Sequence, residues 1–593
     1  MNGSTMSKQK YTVYQVMTRL FGNTQTQHQA WGDKATNGVG KLSDFTPEAL
    51  QAIRDLGITH LWLTGIPHHA TTSDYRAYGI PLDHPAIVKG RAGSPYAVRD
   101  YYAVHPDLAD EPSNRNAEFL ALIQRIHAAE LKVIIDIVPN HVARTYQGLN
   151  NPVGVFDFGA NDDTTLEYQR DNNFYYLPNT PFERPIFPAG FVPAAKSAHD
   201  YLEYPARWSG NGARASRPQF DDWYDTVKIN FGVTPDGQIE FDRLPPGYHE
   251  QPYQVHAAFW QGKTLPDSWT KFRDIAVYWL QQGVDGFRYD MAELVPVEFW
   301  SYLNASIKQV NPEAFLLAEV YQPECYRDYI QLGKMDYLYN KVDLYDQLRA
   351  IVQGEGSTRE LGRIEWQLRD IEHHMMNFLE NHDEQRIASD AFAKDPHKAK
   401  PAMLVATCLS SAPVLIYFGQ EVGEPGAENA GFGQPSRTSI FDYIGVPHHQ
   451  RWMNHGRYDG AKLTEEERTL RQFYQRLLQL TITSPALTGN YHDLYAANFE
   501  GFYPNQDHLF AFARSCATQK LILVANFSAG QSHNLTLRLP SELMQQWSLS
   551  DGHYMLHDLL HQQDYRLSVD NHGGHVTMRL PGYATCFLQL TPP

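Results

Sequence analysis

The sequence predicts an α/β chain: a (β/α)8 TIM barrel, a subdomain inserted after its third strand, and an all-β sandwich at the C-terminus. Three observations predict it. Short apolar, β-branched runs alternate with helix-period segments, the pattern of buried parallel strands and their covering helices. Periodicity stops after His141 and resumes near residue 265. Beyond about residue 489, short alternating runs punctuated by Asn, Gly and Pro replace the helices. The expected division is 1–141 and 265–488 for the barrel, 142–264 for the insertion and 489–593 for the sandwich. A chain of 593 residues is too long for one hydrophobic core, so several domains are required.

Tyr11 to Met17 reads as the first strand, followed by a polar loop from Gly22 to Lys41. Thr46 can cap a helix whose first position is Pro47. Leu50, Ile53 and Leu56 give that helix its apolar face, and Gly57 ends it. Ile58 to Thr64 is the second strand, and the strand–helix–strand order implies a right-handed parallel unit. A helix from about Asn116 to Leu131 leads into the third strand, Lys132 to Val138. Residues 142–264 are rich in Asn, Pro, Gly, Tyr and Trp; a structureless loop of that length is implausible, so they read as a subdomain. A helix near Ser268 to Gln282 restores the rhythm. Strands four to eight are Val284 to Asp290, Ala314 to Ala318, a run near Tyr337, Met375 to Leu379 and Pro413 to Phe418. A helix around Glu465 to Leu480 closes the barrel. His508 to Ala513, Leu521 to Asn526, His575 to Leu580 and Ala584 to Leu590 read as strands of the sandwich.

Composition narrows the function. The formal net charge of −17 would repel a phosphate backbone, which excludes nucleic acid as a natural partner and disfavours anionic membranes. The four cysteines, Cys325, Cys408, Cys516 and Cys586, form no CxxC pair, so neither a zinc site nor a disulfide framework is expected. The N-terminal residues have no apolar core of signal type, and no apolar run is long enough to span a bilayer. A soluble, cytoplasmic protein is the expectation. The many Tyr and Trp side chains offer flat faces suited to sugar rings, although most must serve packing.

Four segments carry the chemistry: Asp136-Ile-Val-Pro-Asn140-His141, Gly286-Phe-Arg288-Tyr-Asp290, Leu317-Ala-Glu319-Val-Tyr321 and Glu380-Asn-His382-Asp383-Glu-Gln-Arg386. All fall at strand ends, and a parallel barrel gathers its strand C-termini on one face. Asp290, Glu319 and Asp383 should therefore converge. Glycoside cleavage needs one ionised carboxylate and one held protonated. Arg288 precedes Asp290 by two, so both point inward, and the guanidinium should lower the Asp290 pKa, as suits a nucleophile. Glu319 ends the apolar run Phe315-Leu-Leu-Ala318, where desolvation should raise its pKa, as suits a general acid. Asp383, with His382 and Arg386 nearby, can hold sugar hydroxyls.

With these motifs in order, the chain resembles the α-amylase superfamily, glycoside hydrolase family 13, over almost its whole length. The resemblance implies that Asp290 is the nucleophile, Glu319 the acid/base and Asp383 the transition-state stabiliser. It implies that Arg288, His141 and His382 hold the sugar ring, and that Tyr96, in Ser94-Pro-Tyr-Ala-Val-Arg-Asp100, is the platform beneath it. Two departures stand out. Many starch-cleaving members have Lys-His at the third and fourth positions after the nucleophile; here these are Glu293 and Leu294. The calcium-binding segment of amylases is matched by Thr226-Val-Lys228-Ile-Asn230, whose lysine is closer to the neopullulanase and cyclomaltodextrinase branch. An ammonium cannot ligate calcium and can replace its charge. Any structural Ca2+ is thus expected elsewhere than at the junction near Asn140, and the chemistry itself requires no cofactor.

The long segment from Pro67 to Ala92 should border the cleft and narrow it; its His68-His69 pair reads as a solvated loop. The expected function is a retaining hydrolase of α-1,4-linked glucosides, with an oligosaccharide substrate. The alternatives are a transglycosylase or glucoside isomerase on the same scaffold, which differ in what resolves the glycosyl-enzyme, and a sugar-binding protein without activity.

Overall fold

The computed structural model describes residues 9–188, 199–530 and 532–591. Eight parallel strands close a barrel: β1 (Thr12–Met17), β2 (His60–Thr64), β3 (Lys132–Ile137), β4 (Gly286–Tyr289), β5 (Phe315–Ala318), β6 (Tyr337–Tyr339), β7 (Met375–Phe378) and β8 (Val414–Tyr417). Each neighbours the next in sequence, and β1 pairs with both β2 and β8. Every residue of β1, β2, β4, β5, β7 and β8 is buried. That explains why these runs are mostly apolar rather than alternating. Gly286 opens β4 because β5 lies so close: a Cβ there would sit 2.1 Å from the Phe315 carbonyl oxygen.

The helix signals behave as read. Thr46 Oγ1 accepts from Ala49 N at 3.2 Å, with Pro47 in the first helical position of Pro47–Asp55. The closing helix, Glu465–Thr483, starts with a reciprocal Thr464–Glu467 capping box. Between β3 and β4, the aperiodic stretch contains short pairings and a helix, Tyr253–Trp260, among its described residues. One pairing joins Tyr176–Leu177 to Ala206–Arg207; another joins His141–Ala143 to Thr226–Lys228 and brings His141 opposite Lys228.

The C-terminal region is a single hydrogen-bonded order of eight antiparallel strands. It contains the four runs read from sequence and four more: Asn490–Asp493, His533–Leu539, Gly552–Asp558 and Gln563–Asp570. The additional strands carry many His, Asp, Gln and Arg residues and expose one face, so their hydropathy signal is weak. Arg514 ties this sheet to the barrel, donating to the Leu409 carbonyl at 3.0 Å and the Leu487 carbonyl at 2.7 Å. No helix among the described residues is long and apolar enough to cross a membrane.

His68 and His69 depart from expectation. They lie in a short strand, Pro67–His69, and are 0 % and 1 % exposed rather than solvated. The His69 ring stacks on His105 at 3.6 Å, and burial drives the pKa values of both His68 and His69 well down. The cause is antiparallel pairing of this strand with Val98–Val104, which seals the loop against the barrel.

Candidate active site

The ends of β3, β4, β5 and β7 and the loop after β2 surround a cleft of about 340 Å³. At its floor, the fully buried Arg288 guanidinium holds two carboxylates. NH1 donates to Asp290 Oδ1 at 2.8 Å and NH2 to Glu319 Oε2 at 3.0 Å. NH1 also lies 3.4 Å from Asp136 Oδ1, whose other oxygen accepts from Trp62 Nε1 at 2.8 Å. Met291, directly after Asp290, has φ 46° and ψ 42°, a left-handed conformation that is uncommon outside glycine. This turn aims its backbone N–H at Glu319 Oε2, 2.8 Å away. Strain of this kind persists where surrounding contacts over-determine it, and such places are commonly functional. Glu293 Oε2 accepts from the N–H groups of Tyr321 and Gln322 at 2.8 and 3.1 Å, fixing the chain just beyond Glu319.

Asp290 and Glu319 are 6 % and 5 % exposed. Burial pushes the Asp290 carboxyl well above the usual range; Arg288 opposes this, while Glu319 and Asp383 reinforce it. The expectation that Arg288 sets Asp290 low is therefore corrected, because one guanidinium shared among several carboxylates does not offset desolvation. Asp383 behaves differently. Burial raises it too, but His382, Arg288 and Arg437 outweigh burial and hold it at about 2.

His382 sits behind the cleft. Gln15 Nε2 approaches its Nδ1 at 2.8 Å, while its Nε2 faces the Tyr96 hydroxyl at 2.7 Å and Asp383 Oδ2 at 3.0 Å. With the Gln15 amide donating to Nδ1, Nε2 carries the proton toward Asp383. Tyr96 lines the cleft, its ring stacked on His382 with centroids 5.2 Å apart. His141 lines the cleft as well, 3.9 Å from Asp290 Oδ2. Burial, then the charges of Lys228 and Lys89, bring its pKa down to about 3, so it faces Asp290 as a neutral imidazole at neutral pH.

The residues singled out from sequence thus separate into three groups. Asp290, Glu319, Asp383, Tyr96 and His141 line the cleft. Arg288 and His382 act from behind it, with side chains fully buried and their polar atoms on other residues. Arg386 does not reach it: NH1 donates to Glu380 Oε2 at 2.8 Å and the Phe418 carbonyl at 2.9 Å, and Nε to Thr438 Oγ1 at 2.9 Å. Its expected part in sugar binding is corrected to a buried strut joining the loops after β7 and β8. Sequence reasoning missed Gln15 and the cleft residues Lys89, Trp223, Asp225 and Phe441. Gln15 was findable as a polar residue within a buried strand; the other four lie in aperiodic loops and carry no pattern.

At the junction of barrel and insertion, Lys228 Nζ donates to Asn140 Oδ1. Asn140 Nδ2 donates in turn to the Gly210 carbonyl at 2.9 Å.

A family model described as "Alpha amylase, catalytic domain" matches residues 15–181 and 260–460, more than half of the chain. The chain belongs to the α-amylase family. Among its relatives, Cyclomaltodextrinase from a Bacillus species is 31% identical over 427 residues, 70% of this chain and 60% of that protein. Neopullulanase 2 of Thermoactinomyces vulgaris is 21% identical over 506 residues, 84% of this chain and 64% of that protein. The chain thus spans less than two thirds of the length of these curated relatives. A maltogenic α-amylase structure from Thermotoga neapolitana shares the fold, with a TM-score of 0.59 at 17% identity, covering 99% of this chain and 100% of that one. In the α-amylase family frame, the match to the neopullulanase and cyclomaltodextrinase relatives agrees with the branch that Lys228 indicated from sequence.

Proposed function

We propose that the protein is a retaining glycoside hydrolase that cleaves α-1,4-linked glucosides in maltooligosaccharides by double displacement. The observation that carries this reading is the shared guanidinium: Arg288 grips Asp290 and Glu319 together at the ends of adjacent strands. Two carboxylates on one guanidinium are held as close neighbours, which supports direct attack at the roughly 5 Å separation of a retaining pair rather than the wider one of an inverting enzyme. The reactive state carries one proton, on Glu319, with Asp290 ionised. Asp290 attacks the anomeric carbon while Glu319 protonates the departing oxygen. Glu319 then takes a proton from the water that releases the sugar. Asp383, ionised and oriented by His382, stabilises the positive charge that develops on the ring. Tyr96 supports the ring, and neutral His141 is placed to bond a hydroxyl.

The same reading puts no calcium at the junction. A metal ion there would need the Asn140 oxygen, and the Lys228 ammonium already donates to it. Four free thiols support a reducing compartment such as the cytoplasm. The test is the anomer first released from a maltooligosaccharide, followed by time-resolved NMR. Initial α-anomer is the expected product; initial β-anomer rules out double displacement.

A further inference from the structure

Resting on the hydrolase reading above, we propose that the enzyme is exo-acting, closed to long chains on the non-reducing side of the cleavage point. The loops after β8, β1 and β2 are neighbours around the barrel, and they are fastened into one wall. Arg19, just beyond β1 and 1 % exposed, is its tie: NH1 donates to the Gly93 carbonyl at 3.4 Å and NH2 to the Ile440 carbonyl. Ala92 N donates to the Phe441 carbonyl at 3.1 Å. Gly90 approaches Phe441 so closely that a Cβ would sit 2.1 Å from that same oxygen. Behind these contacts, the Tyr443 hydroxyl donates to buried Asp107 at 2.6 Å. On the other flank, Lys89 Nζ lies 3.4 Å from Asp225 Oδ1, which joins the loop after β2 to the inserted segment. Lys89, Ile440 and Phe441 all face the cleft. The rim is therefore continuous from the insertion, through the loop after β2, to the loop after β8.

Topology decides which end of a glucan meets this wall. In a closed ring of eight strands, β5 stands diametrically opposite β1. Glu319, at the end of β5, must touch the departing oxygen, so the leaving portion of the chain lies on the β5 side. The portion that becomes bound to Asp290 lies on the opposite side, against Tyr96 and then the wall. In an α-1,4-glucan, that portion carries the non-reducing end. The cleft volume of about 340 Å³ is near the low end of the range for small-molecule sites, room for a short glycone. Sliding a longer glycone past the wall would require pulling Arg19 off two carbonyls at once.

The experiment compares three substrates with the wild-type enzyme: p-nitrophenyl maltoheptaoside, the same compound with an ethylidene cap on its non-reducing end, and cyclic maltoheptaose. The free-ended substrate should be cleaved to a short sugar bearing the non-reducing end. The capped and cyclic substrates should each show kcat/KM lower by at least about 100-fold, the scale of loss when a reacting centre is displaced by a clash. Equal rates on capped and free-ended substrates, with internal cuts in both, would overturn the exo assignment and leave the hydrolase reading intact. Failure to cleave even the free-ended substrate would remove the hydrolase reading and this inference with it.

Discussion

Replacing Arg288 by lysine tests the core of the site. The guanidinium spans Asp290 and Glu319 with two nitrogens at 2.8 and 3.0 Å. An ammonium is a single point and cannot hold both carboxylates in that geometry. Arg288→Lys should keep one charge-assisted hydrogen bond and lose the other, worth about 1.5–3 kcal/mol. If that bond acts in the transition state, kcat/KM falls roughly 10- to 150-fold. A second effect concerns pH. Arg288 is the group that pulls the Asp290 pKa down against burial. With the fork lost, Asp290 rises further, and because it must be ionised to attack, the acid limb of kcat/KM moves to higher pH. The assay is initial rates on p-nitrophenyl maltoside across pH, with a thermal melt to confirm folding. A folded Arg288→Lys enzyme with wild-type kcat/KM and an unmoved acid limb would refute the reasoning.

Further outcomes are expected. Tyr96→Ala removes the ring platform and should weaken substrate by on the order of 1 kcal/mol, read as a rise in KM on a short maltooligosaccharide; unchanged kinetics would remove Tyr96 from the site. Asp290→Ala should abolish turnover, whereas Glu319→Ala should spare a glycosyl fluoride far more than maltose, since fluoride departs with little protonation; equal losses on both would deny Glu319 the acid role. Lys228→Met leaves the Asn140 oxygen without its donor and should cost about 1–3 kcal/mol of stability by denaturant unfolding. A calcium ion found on the Asn140 oxygen in crystals grown with calcium would return a metal to that junction; a metal elsewhere would not.

How far the sequence reaches depends on the scale over which each signal acts. The barrel strands were legible because burial on both faces makes each run apolar by itself, and Thr46-Pro47 and Thr464 mark helix starts through bonds to residues a few positions away. The insertion and half of the C-terminal strands were not: the strand Gln563–Asp570 is written mostly in polar residues because only one side of it is covered. The family motifs placed Asp290, Glu319 and Asp383 at strand ends, and a parallel barrel is bound to bring such ends together. What the motifs could not express was division of labour. Arg386 and Asp383 are three residues apart, yet Arg386 turns inward to Glu380 while Asp383 opens to the cleft. His68 and His69, polar in composition, are buried by pairing with a strand about thirty residues away in sequence.

The sequence by itself determined the chemistry available: which carboxylates exist, that Arg288 shares a strand face with Asp290, and that a lysine stands at position 228. Only the tertiary structure decided their electrostatics and their access. The pKa of Asp290 is set by how completely water is removed from a cluster assembled from separate strands, a quantity no local pattern encodes. The contact between the loops after β1 and β8 arises because a closed barrel makes its first and last strands neighbours, so that Arg19 can bind Ile440 across the length of the barrel sequence. Hydrogen bonds between loops so far apart in the chain leave no periodicity behind, and only the closed ring of strands brings them together.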